Sequence, residues 1–178
     1  MVQFRVDASS EASQEQGAAA SASTASKRPR APALMALLGY SGTSSIDRER
    51  GRVEMAFEPR AEHCHSGGIV QGGIITGWLD AAMASAVFVR GGSGTSMASL
   101  EIKTVYYEAI RLDRGPCTVQ AWIERLGRRT AFVEACVLDA AGTILAKASS
   151  TVSVRSPATA QAAVAANADA ARPAAGGD

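Results

Sequence analysis

The chain has 178 residues, a net charge of +1 and 47% hydrophobic residues, so it is long enough for one cored domain with tails. A charge this close to neutral excludes bulk attraction to nucleic acid or to an acidic membrane surface. Two Trp, three Tyr and four Phe are too few for a base-stacking surface, so neither nucleic acid nor membrane is expected as a partner. Cys64, Cys117 and Cys136 show no paired spacing, which suits a reducing compartment. The N-terminus carries no apolar stretch of the kind a secretory signal needs, and a cytoplasmic location is expected.

Residues 1–30 are rich in Ser, Ala, Gln and Glu, end in Lys27-Arg28-Pro29-Arg30, and read as a disordered tail. The domain is expected over residues 31–155. Pro32 to Leu38 predicts a short helix, with Pro32 near its start and Gly39 just beyond its end. Arg52 to Glu58 alternates, with Val53, Met55 and Phe57 on one face of a half-buried strand that Pro59 stops. Glu62 to Ser66 reads as a loop. Ile69 to Arg90 is the one long helix candidate and is apolar all round, as a wrapped core helix would be. The same stretch is long enough to raise a membrane-spanning reading, with Gly68–Gly72 and Gly73–Gly77 at a spacing suited to a membrane dimer. Gln71, the adjacent glycines and Asp80 weigh against it, as do the soluble-type strands that follow.

After the loop Gly91-Gly92-Ser93-Gly94, strands are expected at Ser96–Glu108, Cys117–Leu126, Ala131–Leu138 and Ile144–Val154, the last two joined by a turn at Asp139–Gly142. Strands in succession after a single helix predict an α+β domain whose antiparallel sheet curls round that helix. Residues 156–178 are mostly Ala with Pro, Gly and Asp, and read as a second disordered tail.

The chemistry centres on Asp80, the one charged side chain between His63 and Val89. With apolar neighbours on every side, it is expected to point inward. Burying a lone carboxylate is costly, so it either bonds a turn or backbone group, or is held for work as a base or nucleophile. Gly72 and Gly73 lie two turns earlier. The first amide N–H groups of a helix lack internal partners, and glycine lets a ligand approach them, giving either an anion or oxyanion site or a tight packing contact. His63-Cys64-His65 invites a metal reading, but no second ligand cluster completes a zinc site, and no metal is expected. His65, orienting a carbonyl or a water, and Gln71, as a further hydrogen-bond donor, are the better readings. Arg125, Arg128 and Arg129 bracket Gly127 as either a solvated turn or a phosphate contact at a site mouth. Trp78, Met83 and Trp122 either line a pocket or, by default, pack in the core.

Collected, these residues make the chain resemble the hotdog-fold acyl-CoA thioesterases of the phenylacetate-degradation and 4-hydroxybenzoyl-CoA type, over about residues 50–155. The family pattern is roughly Asn-x-x-Gly-x-x-His-Gly-Gly, with Asp or Glu seven residues after the last Gly. Here the frame is His65-x-x-Gly68-x-x-Gln71-Gly72-Gly73, then Asp80. The family stretch Thr-x-Glu-Leu-Lys-x-x-Tyr-x-Arg-Pro is matched by Ser99-Leu100-Glu101-Ile102-Lys103-Thr104-Val105-Tyr106-Tyr107-Glu108-Ala109. A Gly-Arg-Arg turn, an Asp-x-x-Gly hairpin and an Ala-rich last strand follow in order. His65 and Gln71 replace the family's Asn and His, and Glu108-Ala109 replaces Arg-Pro.

The resemblance implies that Asp80 is the nucleophile or the base that activates water, and that the Gly72 N–H polarises the thioester oxygen. It further implies that His65 and Gln71 orient the carbonyl or the water, that Ser99 holds the water, and that Gly73, Arg128 and Arg129 contact substrate, the arginines through the CoA phosphates. It implies no cofactor, and a homodimer or homotetramer with each site between two subunits. Pairing would also protect the open edges of a short curled sheet. The rival readings are a non-catalytic acyl-CoA-binding hotdog protein and, ranked lower, an enoyl-CoA hydratase. Hydratases of this fold pair Asp with a His five residues on, where this chain has Ser85.

Overall fold

The structure, a computed structural model, describes residues 33–155; the tails expected at 1–30 and 156–178 lie outside them. The chain enters through a five-residue helix, α1 (Ala33–Leu37), within the Pro32–Leu38 span expected for it, Pro32 itself lying outside the described residues. Two strands follow, β1 (Tyr40–Asp47) and β2 (Arg52–Phe57), then a miniature hairpin of β3 (Cys64–His65) and β4 (Ile69–Val70). The long helix α2 (Gly72–Gly91) comes next, then β5 (Ser96–Tyr106), β6 (Cys117–Leu126), β7 (Thr130–Leu138) and β8 (Ile144–Arg155). The six long strands form one sheet in the order β1-β2-β6-β7-β8-β5, antiparallel at every junction. This is the expected antiparallel sheet curled round one helix.

The strands follow their side-chain patterns. In β2, Val53, Met55 and Phe57 are buried and the residues between them are not, as the alternation predicted. No element was expected between Gly39 and Gly51, yet β1 lies there. Its sequence, Tyr40-Ser-Gly-Thr-Ser-Ser-Ile-Asp47, has no apolar alternation, because it is an edge strand held to β2 by backbone bonds with little to bury.

Helix α2 begins three residues later than expected. Ile69 and Val70 are strand residues: the Val70 N–H donates to the Ile110 carbonyl (2.8 Å), and Gln71, in extended conformation, caps the helix. The helix is also less enclosed than its composition implied. Ile75, Trp78, Leu79, Ala82, Met83, Ala86 and Val87 are buried, at alternating spacings of three and one. They form a stripe that packs on β2, β5, β6, β7 and β8. The opposite side carries Gly73, Gly77, Ala81, Ala84, Ser85 and Phe88, none of them buried, and Phe88 is 47% exposed. By residue type that side is apolar or small, which concealed it in the sequence. Length and composition alone would let α2 cross a membrane; in the fold its buried stripe is the centre of the core. A glycine inside a helix, such as Gly77, costs about 1 kcal/mol against alanine. Burying one side chain such as Leu79 or Met83 is worth about 1.5–3 kcal/mol, so packing decides the helix.

His63 ties α1 to this core. It is 2% exposed, and its Nδ1 accepts from the Arg60 N–H (3.1 Å), so Nε2 carries the proton and donates to the Leu37 carbonyl (2.7 Å). Its ring meets Trp78 edge-on, and the Trp78 Nε1–H donates to the Leu38 carbonyl (2.7 Å). Trp78 and Met83 are core residues, and Trp122 lies half-buried under the Arg52 guanidinium (5.4 Å from the ring centre).

Candidate active site

Two polar places lie along the part of α2 that faces β5. The first is the helix start. Of the first four helical N–H groups, Ile74 and Ile75 donate to the Gln71 carbonyl (2.9 and 3.3 Å), and Gly73 donates to the Gln71 side-chain Oε1 (3.0 Å). The Gly72 N–H alone has no acceptor among the described residues. Gly72 also touches Tyr106: a Cβ at this position would lie 3.2 Å from the phenol Cζ and hydroxyl. The Tyr106 hydroxyl donates to the Gly72 carbonyl (2.9 Å) and lies 2.7 Å from Thr76 Oγ1, which is 3.2 Å from Thr104 Oγ1. A groove of about 330 Å³ opens here, walled by Ile69, Val70, Ile75, Tyr106 and Ile110, with Glu108 at its side.

The second place is Asp80. It is half-buried rather than enclosed, which corrects the expectation that it points inward whichever way the helix turns: it stands at the edge of the buried stripe. The Ser99 hydroxyl donates to its Oδ1 (2.7 Å). Among the described residues no cationic nitrogen lies within 4.0 Å of its carboxylate. Oδ1 is thus held, and Oδ2 has no partner among the described residues.

Ser99 reaches Asp80 because β5 is irregular. Ser99 and Tyr106 are seven residues apart (106 − 99), an odd separation that places them on opposite faces of a regular strand. A bulge between Ser99 and Glu101 changes the phase. Met97 and Ser99 on one side of it, and Ile102, Thr104 and Tyr106 on the other, all face α2, while Leu100 turns out at 65% exposure.

The two places are separate within one chain. From Gly72 to Asp80 is eight residues, about 12 Å along the axis at the helical rise. A single carbonyl group cannot meet both.

The other expected residues divide. Gln71 acts here as the helix cap, its oxygen accepting from Gly73; its Nε2 has no partner among the described residues. The Gly73 N–H is therefore occupied within the chain. His65 is exposed on the β3–β4 hairpin, opposite Ile69, with its Nδ1 2.8 Å from the Ser66 carbonyl. Arg128 and Arg129 are exposed on the β6–β7 turn, with no carboxylate within 4.0 Å among the described residues. The pairings Leu126–Ala131–Val152–Ser99 place that turn at the end of the sheet where Ser99 lies, two strands and roughly 10 Å across. Where the resemblance puts Arg, Glu108 instead pairs with Arg114 (3.3 Å), which also reaches Asp139 (3.1 Å). Tyr106 had no role in the sequence reading; its place in the matched stretch was the only signal.

Residues 67–146, from the β3–β4 hairpin to the first part of β8, match the model of the thioesterase superfamily. No curated protein matches the chain. Among solved structures, the chain is similar to a phenylacetic acid degradation-related protein from Ralstonia eutropha, at 25% identity and TM-score 0.64, over 70% of this chain and 91% of that one. It is similar to a conserved protein from Pseudomonas aeruginosa, at 27% identity and TM-score 0.63, over 69% and 94%. It is also similar to a point variant of the phenylacetic acid degradation protein PaaI from Thermus thermophilus, at 26% identity and TM-score 0.59, over 68% and 97%.

Proposed function

We propose that this chain, which carries a thioesterase-superfamily domain of the hotdog fold over residues 67–146, is a homo-oligomeric acyl-CoA thioesterase that hydrolyses a thioester to free acid and CoA. The observation that carries the reading is Asp80: among the described residues, a carboxylate with no cation beside it, one oxygen held by Ser99 and the other without a partner. A structural carboxylate is ordinarily matched by a cation or by several donors. This one is positioned by a single hydroxyl, as a base or nucleophile must be.

In the reaction, Asp80 takes the proton of a water whose oxygen bonds the thioester carbon, or attacks that carbon itself. Negative charge develops on the carbonyl oxygen, which the Gly72 N–H stabilises. Collapse of the adduct breaks the C–S bond. Where Asp80 acts as base, the CoA thiolate leaves with the proton Asp80 took and the acid is free; where Asp80 attacks, the thiolate takes its proton from water and a second water cleaves the resulting Asp80 acyl anhydride to free acid and carboxylate. Because Gly72 and Asp80 of one chain are about 12 Å apart, a second copy supplies one of the two groups at each site. The groove beside Gly72 takes an apolar part of the substrate, and Arg128 and Arg129 meet CoA phosphates.

The test is thiol release from a panel of acyl- and aroyl-CoA esters. At least one should be cleaved, and Asp80→Ala should abolish cleavage while leaving the circular dichroism spectrum unchanged. A panel that yields no thiol sinks the enzyme reading; tight acyl-CoA binding without turnover would instead favour a non-catalytic binder. A hydratase reading finds no support in Ser85, whose hydroxyl donates to the Ala81 carbonyl (2.8 Å).

A further inference from the structure

We infer that Tyr106 is a positioning residue for this reaction: its hydroxyl clamps the peptide between Gly72 and Gly73 and so fixes the direction in which the Gly72 N–H points at the thioester oxygen. The inference rests on the proposed thioesterase reading. The Gly72–Gly73 peptide is gripped from both ends. The Tyr106 hydroxyl donates to its carbonyl (2.9 Å), and Gln71 Oε1 accepts from its N–H (3.0 Å). The neighbouring peptide, between Gln71 and Gly72, ends in the one N–H of the first turn that has no acceptor among the described residues. Holding one peptide plane limits rotation of the next, because the two share the Gly72 α-carbon and only φ and ψ there remain free. Glycine is the residue with most freedom at those angles, so this joint most needs an external restraint.

Two further observations separate a clamp from chance proximity. The phenol lies so close over Gly72 that a Cβ would meet its ring and hydroxyl at 3.2 Å. Its oxygen is fixed in turn by Thr76 Oγ1 at 2.7 Å, from the same helix one turn on. The hydroxyl is thus spanned between the two ends of the first helical turn. An oxyanion donor contributes most when its direction is set before the reaction, so loosening the joint weakens transition-state binding more than ground-state binding.

Tyr106→Phe keeps the ring contact with Gly72 and removes only the hydroxyl. Steady-state kinetics on the best substrate of the panel should show kcat about tenfold lower with KM within about twofold of the wild type. Thermal unfolding of both proteins sets a temperature at which each is fully folded, and the assay is run there. Wild-type activity with an unchanged kcat in Tyr106→Phe overturns the clamp and leaves the thioesterase reading standing. A raised KM at unchanged kcat also overturns it, because the hydroxyl would then serve binding alone. A wild-type protein inert on the whole panel overturns the thioesterase reading, and the clamp with it.

Discussion

Asp80 would be costly in a sealed core, and the half-exposed side of α2 removes that cost while leaving the carboxylate free to react. Ser99 is its sole bonded neighbour in the described structure, so Ser99 sets its orientation. Ser99→Ala should lower kcat by up to about a hundredfold, the low end of what a positioned acid–base group contributes, without raising KM. An unchanged kcat in steady-state assays would remove Ser99 from the site. Cys117 and Cys136 do not compete for the role of nucleophile. Burial pushes the Cys117 thiol up to about 11 and raises Cys136 as well, so both remain protonated and weakly reactive near neutral pH.

At the scale of elements, the start of α2 and the bulge in β5 do most to shape the site. Gln71 stands where the resemblance has His, and its oxygen takes up the Gly73 N–H. Removing a capping side chain ordinarily costs about 1 kcal/mol. Gln71→Ala should therefore lower unfolding free energy by about that amount in urea titration, and Gln71→Ser, whose hydroxyl can accept from the same turn, should recover most of it. Equal stabilities for all three proteins would show that the cap contributes nothing. The bulge matters because it brings Ser99 and Tyr106 to one face. A regular β5 would offer α2 one of them and turn the other outward.

At the scale of the molecule, the decisive length is the 12 Å or so between Gly72 and Asp80. With both on one rigid helix, no rotation within the chain shortens it. A site that needs both must join two copies, and the sheet has open edges at β1 and β5 to pair. Complementation checks this. Asp80→Ala chains and Gly72→Pro chains, the latter without the N–H at a first helical position that tolerates proline, each impaired alone, are co-expressed with different tags. A mixed dimer then has one site with both changes and one with neither. Random pairing makes about half the dimers mixed, so about a quarter of wild-type activity should return. No recovery in verified mixed dimers would mean that each site lies within one chain.

Much was legible in the residues themselves. Val53, Met55 and Phe57 announced β2 by alternation, the later strands lay close to their expected bounds, and Asp80 and Gly72 stood out as charge and glycine in an apolar run. What escaped notice had too little side-chain signal. β1 is polar because an edge strand is specified mainly by its backbone bonds. The open side of α2 is built of small residues that composition counts as core.

Periodicity and residue type, which are local, were enough to determine that a sheet wraps one helix and that its lone carboxylate is the reactive candidate. The separation of Gly72 and Asp80 follows from the residue count and the helical rise; only the tertiary structure decided which helical N–H stays open and that Ser99 and Tyr106 share a face. The first depends on which way a capping side chain turns and the second on a bulge set by the pairing of β5 with β8, and neither leaves a pattern of residue types along the chain.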